Sequence, residues 1–195
     1  NSNNQIPENL NDPSGLNDYF ASVFQVTDPD VSTFEYFNNN KFNDQNFSFT
    51  LVEPSVVRSI IAGMKSNAKG VDNISLFMVK LSLPVVLPFL THVLNFCLEK
   101  GYFPKLWRHA IINPRPKVNN PKEFSDFRPI SILCVLSKIL EKIVHMQIST
   151  YFDSNKILPV NQSGFRKSHS TTTALLNLVD IIRALDKKLS VRWSR

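Results

Sequence analysis

Eighteen consecutive residues, Leu81–Leu98, carry no charged side chain, and no other feature constrains the fold of this chain as tightly. A stretch this apolar must leave water, for a protein core or for a bilayer. Ser82, Pro84, Pro88, Thr91, His92 and Asn95 interrupt it, too many polar groups and breaks for a lipid-facing span. A buried helix entered at Pro84 and stopped by Gly101 after Lys100 is the expected solution, and no membrane partner is expected. With 195 residues, 43% of them apolar, the chain has material for one ordinary domain plus a tail, with a core that needs no staples. Cys97 and Cys134 are its only cysteines, so a disulfide framework is not implied and a reducing compartment is the default. The start, Asn1–Gln5, has no Met, basic run or apolar stretch, so an internal fragment or a trimmed product is expected there rather than a secretory leader.

Helical periodicity accounts for most of the chain. After an Asn-rich stretch over residues 1–13, expected to be mobile, Ser14 is placed as cap of a short helix with Leu16, Tyr19, Phe20, Val23 and Phe24 on one face. Residues 25–46 are polar, acidic and aperiodic, and read as a linker that Phe34, Tyr36, Phe37 and Phe42 dock loosely. Pro54 opens a helix bearing Val56, Val57, Ile60, Ile61 and Met64. Gly70 is placed in a turn for its freedom to take positive φ, and a short helix from Ser75 precedes the long one. Ala110–Ile112 runs as a strand into Pro114-Arg115-Pro116-Lys117, where two prolines suit a hairpin arm but not a central strand. Arg128–Ile132 is the returning strand. Amphipathic helices follow over 135–153 and from a cap near Ser170, while Leu189–Arg195 shows no pattern. The fold class is α+β, helix-rich with one short β-hairpin. Residues 1–50 form an acidic linker with a short helix, and residues 51–195 form the body.

Charge divides the same way. Residues 1–53 hold eight acids and one base, a net of −7, and residues 54–195 a net of +13. A basic body suits a polyanion, and equally a solvated surface. Much chemistry is excluded by what is missing. Five scattered Gly build no phosphate loop, His92, His109, His145 and His169 are far apart, neither Cys has zinc-finger spacing, and no Ser occupies a nucleophile elbow. The close carboxylates Asp28 and Asp30 lie in the linker, and those of the body are dispersed. Two constellations remain. Lys117 ends one arm and Arg128 begins the next, so pairing of the arms brings two cations together, either as a grip on triphosphate oxygens or as ordinary surface bases. Gln162–Arg166, with Lys167 and Ser170–Thr173, sets bases and backbone N–H groups at a helix start, for a phosphodiester backbone or simply as a capped helix.

Phe127–Val144 and Gln162–Leu175 closely resemble the reverse transcriptase domain of non-LTR retrotransposons, the jockey-like and LINE-type mobile elements. Lys69–Asp72, Gly101–Trp107, Pro114–Lys117 and even Leu16–Phe24 agree with it. The resemblance implies the fingers and the start of the palm of a right-hand polymerase that copies RNA into DNA from deoxynucleoside triphosphates, with RNA template and DNA primer as partners. It implies that Lys117 and Arg128 contact the incoming nucleotide. It places Lys69, Gln162, Gly164, Phe165 and Arg166 near template and primer, and the protein in cytoplasm and nucleus.

Departures from the family pattern carry information too. Family members usually have an apolar residue where Arg115 stands, Pro at Cys134 and Gly at Ser168. After Leu185-Asp186-Lys187 the family continues with Gly, an apolar strand ending in the first catalytic Asp and, later, a Tyr-x-Asp-Asp turn. This chain reads Lys188–Arg195 instead. Those aspartates hold the Mg2+ ions of the intact enzyme, so no metal is expected here and the chain alone is expected not to polymerise. A non-catalytic nucleic-acid-binding remnant, or a non-functional product of a decayed element, is the alternative expectation.

Overall fold

Asp12 opens the first helix: its carboxylate accepts the Ser14 N–H at 3.0 Å, and Pro13 occupies the first turn. The cap expected at Ser14 thus lies inside α1 (Pro13–Ser22), because Pro13, with no N–H to lose, is already helical. The computed structural model describes residues 10–23, 30–39, 46–159 and 161–193, with the side chains of Phe37 and of residues 186–193 excepted. Phe24, Asp28 and Phe42, which figured in the sequence expectations, lie outside them. The chain divides into two compact units, Asn1–Gln147 and Ile148–Arg195.

A second short helix, α2 (Val31–Asn39), occupies part of the span expected to be aperiodic. It opens on a cap at Asp30, and at nine residues it is too short for Val31, Phe34 and Phe37 to stand out as a helical period. The Asp30 carboxylate accepts the Ser32 N–H at 3.0 Å and the hydroxyls of Ser32 and Thr33. These bonds, the Ser32 hydroxyl foremost, hold its carboxyl below the usual carboxylate value. Phe34 and Tyr36 remain exposed.

The core of the first unit joins α3 (Pro54–Gly63), α4 (Leu76–Lys100) and the first half of α5 (Val135–Ser154). Val57, Ile61, Leu94, Ile139 and Ile143 are fully enclosed there. The two helices expected on either side of Pro84 are a single helix. Leu76, Val79, Leu83, Leu87, Leu90, Leu94 and Leu98 form one buried stripe three or four residues apart, and burial of that stripe carries the helix across Pro84 and Pro88 despite two missing backbone N–H groups. Ser75 caps it by accepting the Met78 N–H, and Gly101, at φ 59, ends it in the left-handed conformation. By length and composition alone α4 would reach across a membrane; its buried stripe belongs to this core.

Side-chain amides fasten the extended segment before α3. Asn95 accepts the Val52 N–H at 2.8 Å and donates to its carbonyl at 3.0 Å. Gln147 does the same for Thr50, both at 2.8 Å. Each amide takes the place that a neighbouring strand would fill. Lys80 Nζ donates to the carbonyls of Ala62 and Met64, closing the end of α3.

Gly70 makes a closer approach than its turn alone requires. Its φ is not positive; Asn73 takes that role at φ 56. An added Cβ at Gly70 would stand 2.6 Å from both the N and the Cα of Cys134. The residue is therefore glycine so that the turn can press against the start of α5, correcting the reason expected from sequence.

The sheet is one antiparallel pair, β1 (Ile111–Pro116) with β2 (Phe127–Ile132). In the second unit Ser170 caps α6 (Thr171–Trp193) by accepting the Thr173 N–H at 3.2 Å, while Thr173 Oγ1 accepts the Ser170 N–H at 2.8 Å. The helix runs on through Leu189–Trp193, where no pattern was expected. The architecture is thus helix-rich α+β with a two-stranded antiparallel sheet.

Candidate functional site

Register decides what the hairpin can do. Pro114 pairs with Pro129, and Pro116 with Phe127. None of the three prolines has an N–H to give, so these pairs take the positions whose backbone does not donate across the ladder. The N–H of Lys117 does cross, reaching the Asp126 carbonyl at 2.7 Å. Counting back by twos, Arg115 and Arg128 form the next directly opposed pair, and Asn113 and Ile130 the one after. Opposed residues share a face and alternate residues return to it. Arg115, Lys117 and Arg128 therefore project from one face of the ribbon, all exposed.

The other face is occupied. Phe127, 1% exposed, is buried in one cluster with Leu10, Leu16 and Phe20, joined by Tyr19 and Phe124. Leu10, which fell in the stretch expected to be mobile, is part of that packing. Leu16 and Phe20 of α1 also line a cavity with Ile112 and Pro114 of β1. Gly15 lets the hairpin loop lie close, since a Cβ there would stand 3.1 Å from the Phe124 ring. The helix expected inside the acidic linker is what covers one side of the ribbon and leaves the cationic side to solvent.

The loop between the arms holds its own shape. Asp126 accepts the N–H groups of Lys122 and Glu123 and forms a reciprocal cap with Glu123. Lys117 Nζ donates to the Ser125 carbonyl at 2.7 Å, which fixes the ammonium near the loop and leaves two of its three donors without a partner among the described residues. The ion pairs among the described residues, Lys100–Glu99 and Arg166–Asp153, include none of the three hairpin cations.

Structure places Lys69 elsewhere. Gly70 holds that turn against Leu133 and Cys134, beyond the end of β2, about 16 Å along the strand direction from Arg128. Lys69 is exposed there, and Cys134, against whose backbone Gly70 lies, is buried. Burial raises the Cys134 pKa, and Asp72 adds to the rise; the Ser137 N–H opposes it.

Gln162, Gly164, Phe165 and Arg166 lie together in the loop before α6, in the second unit. Phe165 is fully exposed and sits at φ 61, a left-handed conformation that disfavours a bulky side chain. Gln162 Nε2 donates to the Gly164 carbonyl at 3.5 Å. Arg166 is half-buried: it donates to the Pro159 carbonyl at 3.3 Å and stands 3.9 Å from an Asp153 oxygen. Part of its fork braces the loop, while Lys167 is exposed. The Thr173 N–H, one of those expected to meet a phosphate, is bound by Ser170 Oγ.

Arg115 is the residue that spacing alone did not single out. A usable signal was present, because the shared parity of Pro114 and Pro116 already sets Arg115 and Lys117 on one face.

No protein-family model matches the chain. Among curated proteins it is similar to a probable RNA-directed DNA polymerase from transposon BS of Drosophila melanogaster, 33% identical over 144 residues that cover 70% of this chain and 16% of that protein. It is 31% identical over 152 residues to a probable RNA-directed DNA polymerase from transposon X-element of the same species, covering 76% and 17%. The RNA-directed DNA polymerase from mobile element jockey of Drosophila melanogaster matches at 33% over 135 residues, 68% and 15%. Across about seven tenths of its length, the chain is a homologue of the RNA-directed DNA polymerases of Drosophila non-LTR transposons, and it spans about one sixth of the length of those relatives.

Proposed function

We propose that residues 51–195 are part of the fingers and the start of the palm of an RNA-directed DNA polymerase of a non-LTR retrotransposon, and that the hairpin holds an incoming deoxynucleoside triphosphate. The observation that carries this reading is the two-sidedness of the ribbon: α1 packs on one face, while Lys117 and Arg128 share the other, exposed and outside any ion pair among the described residues. A guanidinium presents its donors in a fork that matches phosphate oxygens, and an ammonium adds a compact charge beside it. Their part in the reaction is to place the triphosphate and to neutralise its oxygens.

Lys69 belongs on the template side in this reading. Gln162, Gly164, Phe165 and Arg166 line the path of template and primer, where the exposed Phe165 ring can stack on a base. RNA template and DNA primer are the macromolecular partners, and the site of action is intracellular, in cytoplasm and nucleus. Mg2+ serves the intact enzyme. Among the described residues, no three His, Cys, Asp or Glu side chains gather around a common point. These residues do not fit a magnesium centre. The purified chain alone is inactive in primer extension under this reading.

Titration of the full chain with dATP, followed by calorimetry, tests the grip. Loss of one charge-assisted contact is worth about 1.5–3 kcal/mol, so Lys117→Ala and Arg128→Ala should each weaken binding by about tenfold or more. Affinity unchanged in both variants would overturn the reading. A second reading, nucleic-acid binding without chemistry, draws on the +13 charge of residues 54–195. It requires RNA affinity that falls steeply with salt in a chain that ignores dATP.

A further inference from the structure

The antiparallel register sets Arg115 directly opposite Arg128. Like charges in that relation destabilise a strand pair, and their Cα atoms stand about 5.5 Å apart in a hydrogen-bonded pair. Nothing among the described residues relieves them: neither guanidinium joins an ion pair, and the nearest carboxylate along the ribbon, Asp126, accepts backbone N–H groups of its own loop. Retreat to the opposite face is closed, since Phe127, Leu16 and Phe20 pack there. Lys117 adds a third positive charge one diagonal step from Arg128, roughly 7–8 Å away across the strands.

We propose that Arg115 is a third phosphate-binding residue of the hairpin, and that the facing pair Arg115–Arg128 closes on the triphosphate of a nucleotide. This rests on the nucleotide-binding reading above and extends it to a residue for which the family resemblance expects an apolar side chain. Two opposed forks can take non-bridging oxygens from two sides, while the Lys117 ammonium takes another from the loop end. Density of charge favours a triphosphate over a nucleic-acid strand. The three cations occupy one short patch, roughly 7 Å along the strand, whereas a single strand offers one charge per nucleotide. Filling the patch also removes the repulsion that the free hairpin carries, so affinity depends on how many phosphates the ligand brings.

Full-length chains carrying Arg115→Gln and Arg115→Lys are titrated with dATP, dADP, dAMP and a short single-stranded RNA. Arg115 is exposed, and circular dichroism confirms that each variant is folded before titration. Arg115→Gln should weaken dATP binding by about tenfold, with a smaller loss for dAMP, so that the preference for triphosphate over monophosphate narrows; Arg115→Lys should recover part of it. In the absence of nucleotide the Gln variant should melt no earlier than the parent, because a repulsive pair has been removed. Unchanged dATP affinity in Arg115→Gln, with losses in Lys117→Ala and Arg128→Ala, would overturn this proposal and leave the two-cation reading standing. Unchanged dATP affinity in all three would overturn both. A loss confined to RNA would assign the arginine to a nucleic-acid strand and would likewise overturn it.

Discussion

Gly70 shows how little space separates a turn from a folding requirement. A methyl group there meets backbone, the N and Cα of Cys134 at 2.6 Å, and a backbone wall at the start of a helix cannot swing aside as a long side chain can. Gly70→Ala should cost about 1–3 kcal/mol, the usual price of forced overpacking. Gly63, at the end of α3, has nothing within 4 Å of a Cβ. Gly63→Ala should be neutral or stabilising by up to about 1 kcal/mol, because alanine has less backbone freedom to lose. Urea unfolding of the two variants separates the cases, and equal midpoints would mean that the turn does not press on α5. Sequence alone made Gly70 a turn residue but gave the wrong reason, since a contact across more than sixty positions is invisible to local rules. The hairpin cations divide along the same line. Lys117 and Arg128 were legible as a pair because both flank the loop. Arg115 was not, because its partner is set by register, and register depends on how the loop closes.

Elements were legible where an apolar stripe and a stop signal coincided, as in α3 and α5, and illegible where two local rules conflicted. Pro84 reads as a helix start, and the residues before it read as a separate short helix. The stripe from Leu76 to Leu98 nevertheless continues through it. The contest is one of magnitudes. Each interior proline costs about 3 kcal/mol relative to alanine, while each fully buried Leu or Val returns about 1.5–3 kcal/mol, and the stripe supplies several. Pro84 and Pro88 are both exposed, so replacing them sacrifices no packing. Pro84→Ala and Pro88→Ala should therefore each stabilise the chain by about 2 kcal/mol, after allowing for the freer unfolded state that alanine permits. A higher denaturant midpoint with an unchanged m-value is the expected result. A lower midpoint would show that α4 needs a proline bend to seat its stripe. Helix α2 failed to register for a different reason: its nine residues are shorter than the window over which a helical period stands out, and its start is set by a three-bond cap at Asp30.

Stability is unevenly spread over the whole molecule. Every hydrophobic side chain that is fully buried among the described residues lies between Leu10 and Ile143, inside the first unit. In the second unit, Leu175, Leu176, Leu178, Ile181, Ile182 and Leu185 of α6 are all about half exposed. Helix formation in water is marginal without an apolar face packed on something, so over residues 171–185 α6 rests chiefly on its Ser170–Thr173 cap and its own backbone bonds. Local opening should follow that distribution. Hydrogen exchange followed by mass spectrometry should find the amides of α3, of α4 and of the first half of α5 slowest, opening only with the global transition. Amides over residues 171–185 should exchange far sooner, at denaturant concentrations that leave the first unit intact. Adding a single-stranded RNA should then slow exchange in the loop around Phe165 and in the first turns of α6, because a bound strand stabilises whatever it touches. Adding dATP alone should instead protect β1 and β2. Protection of both regions by dATP alone would break the assignment of the nucleotide to the hairpin and of the strand to the loop before α6, and exchange in α6 as slow as in α4 would contradict the burial argument from which it starts.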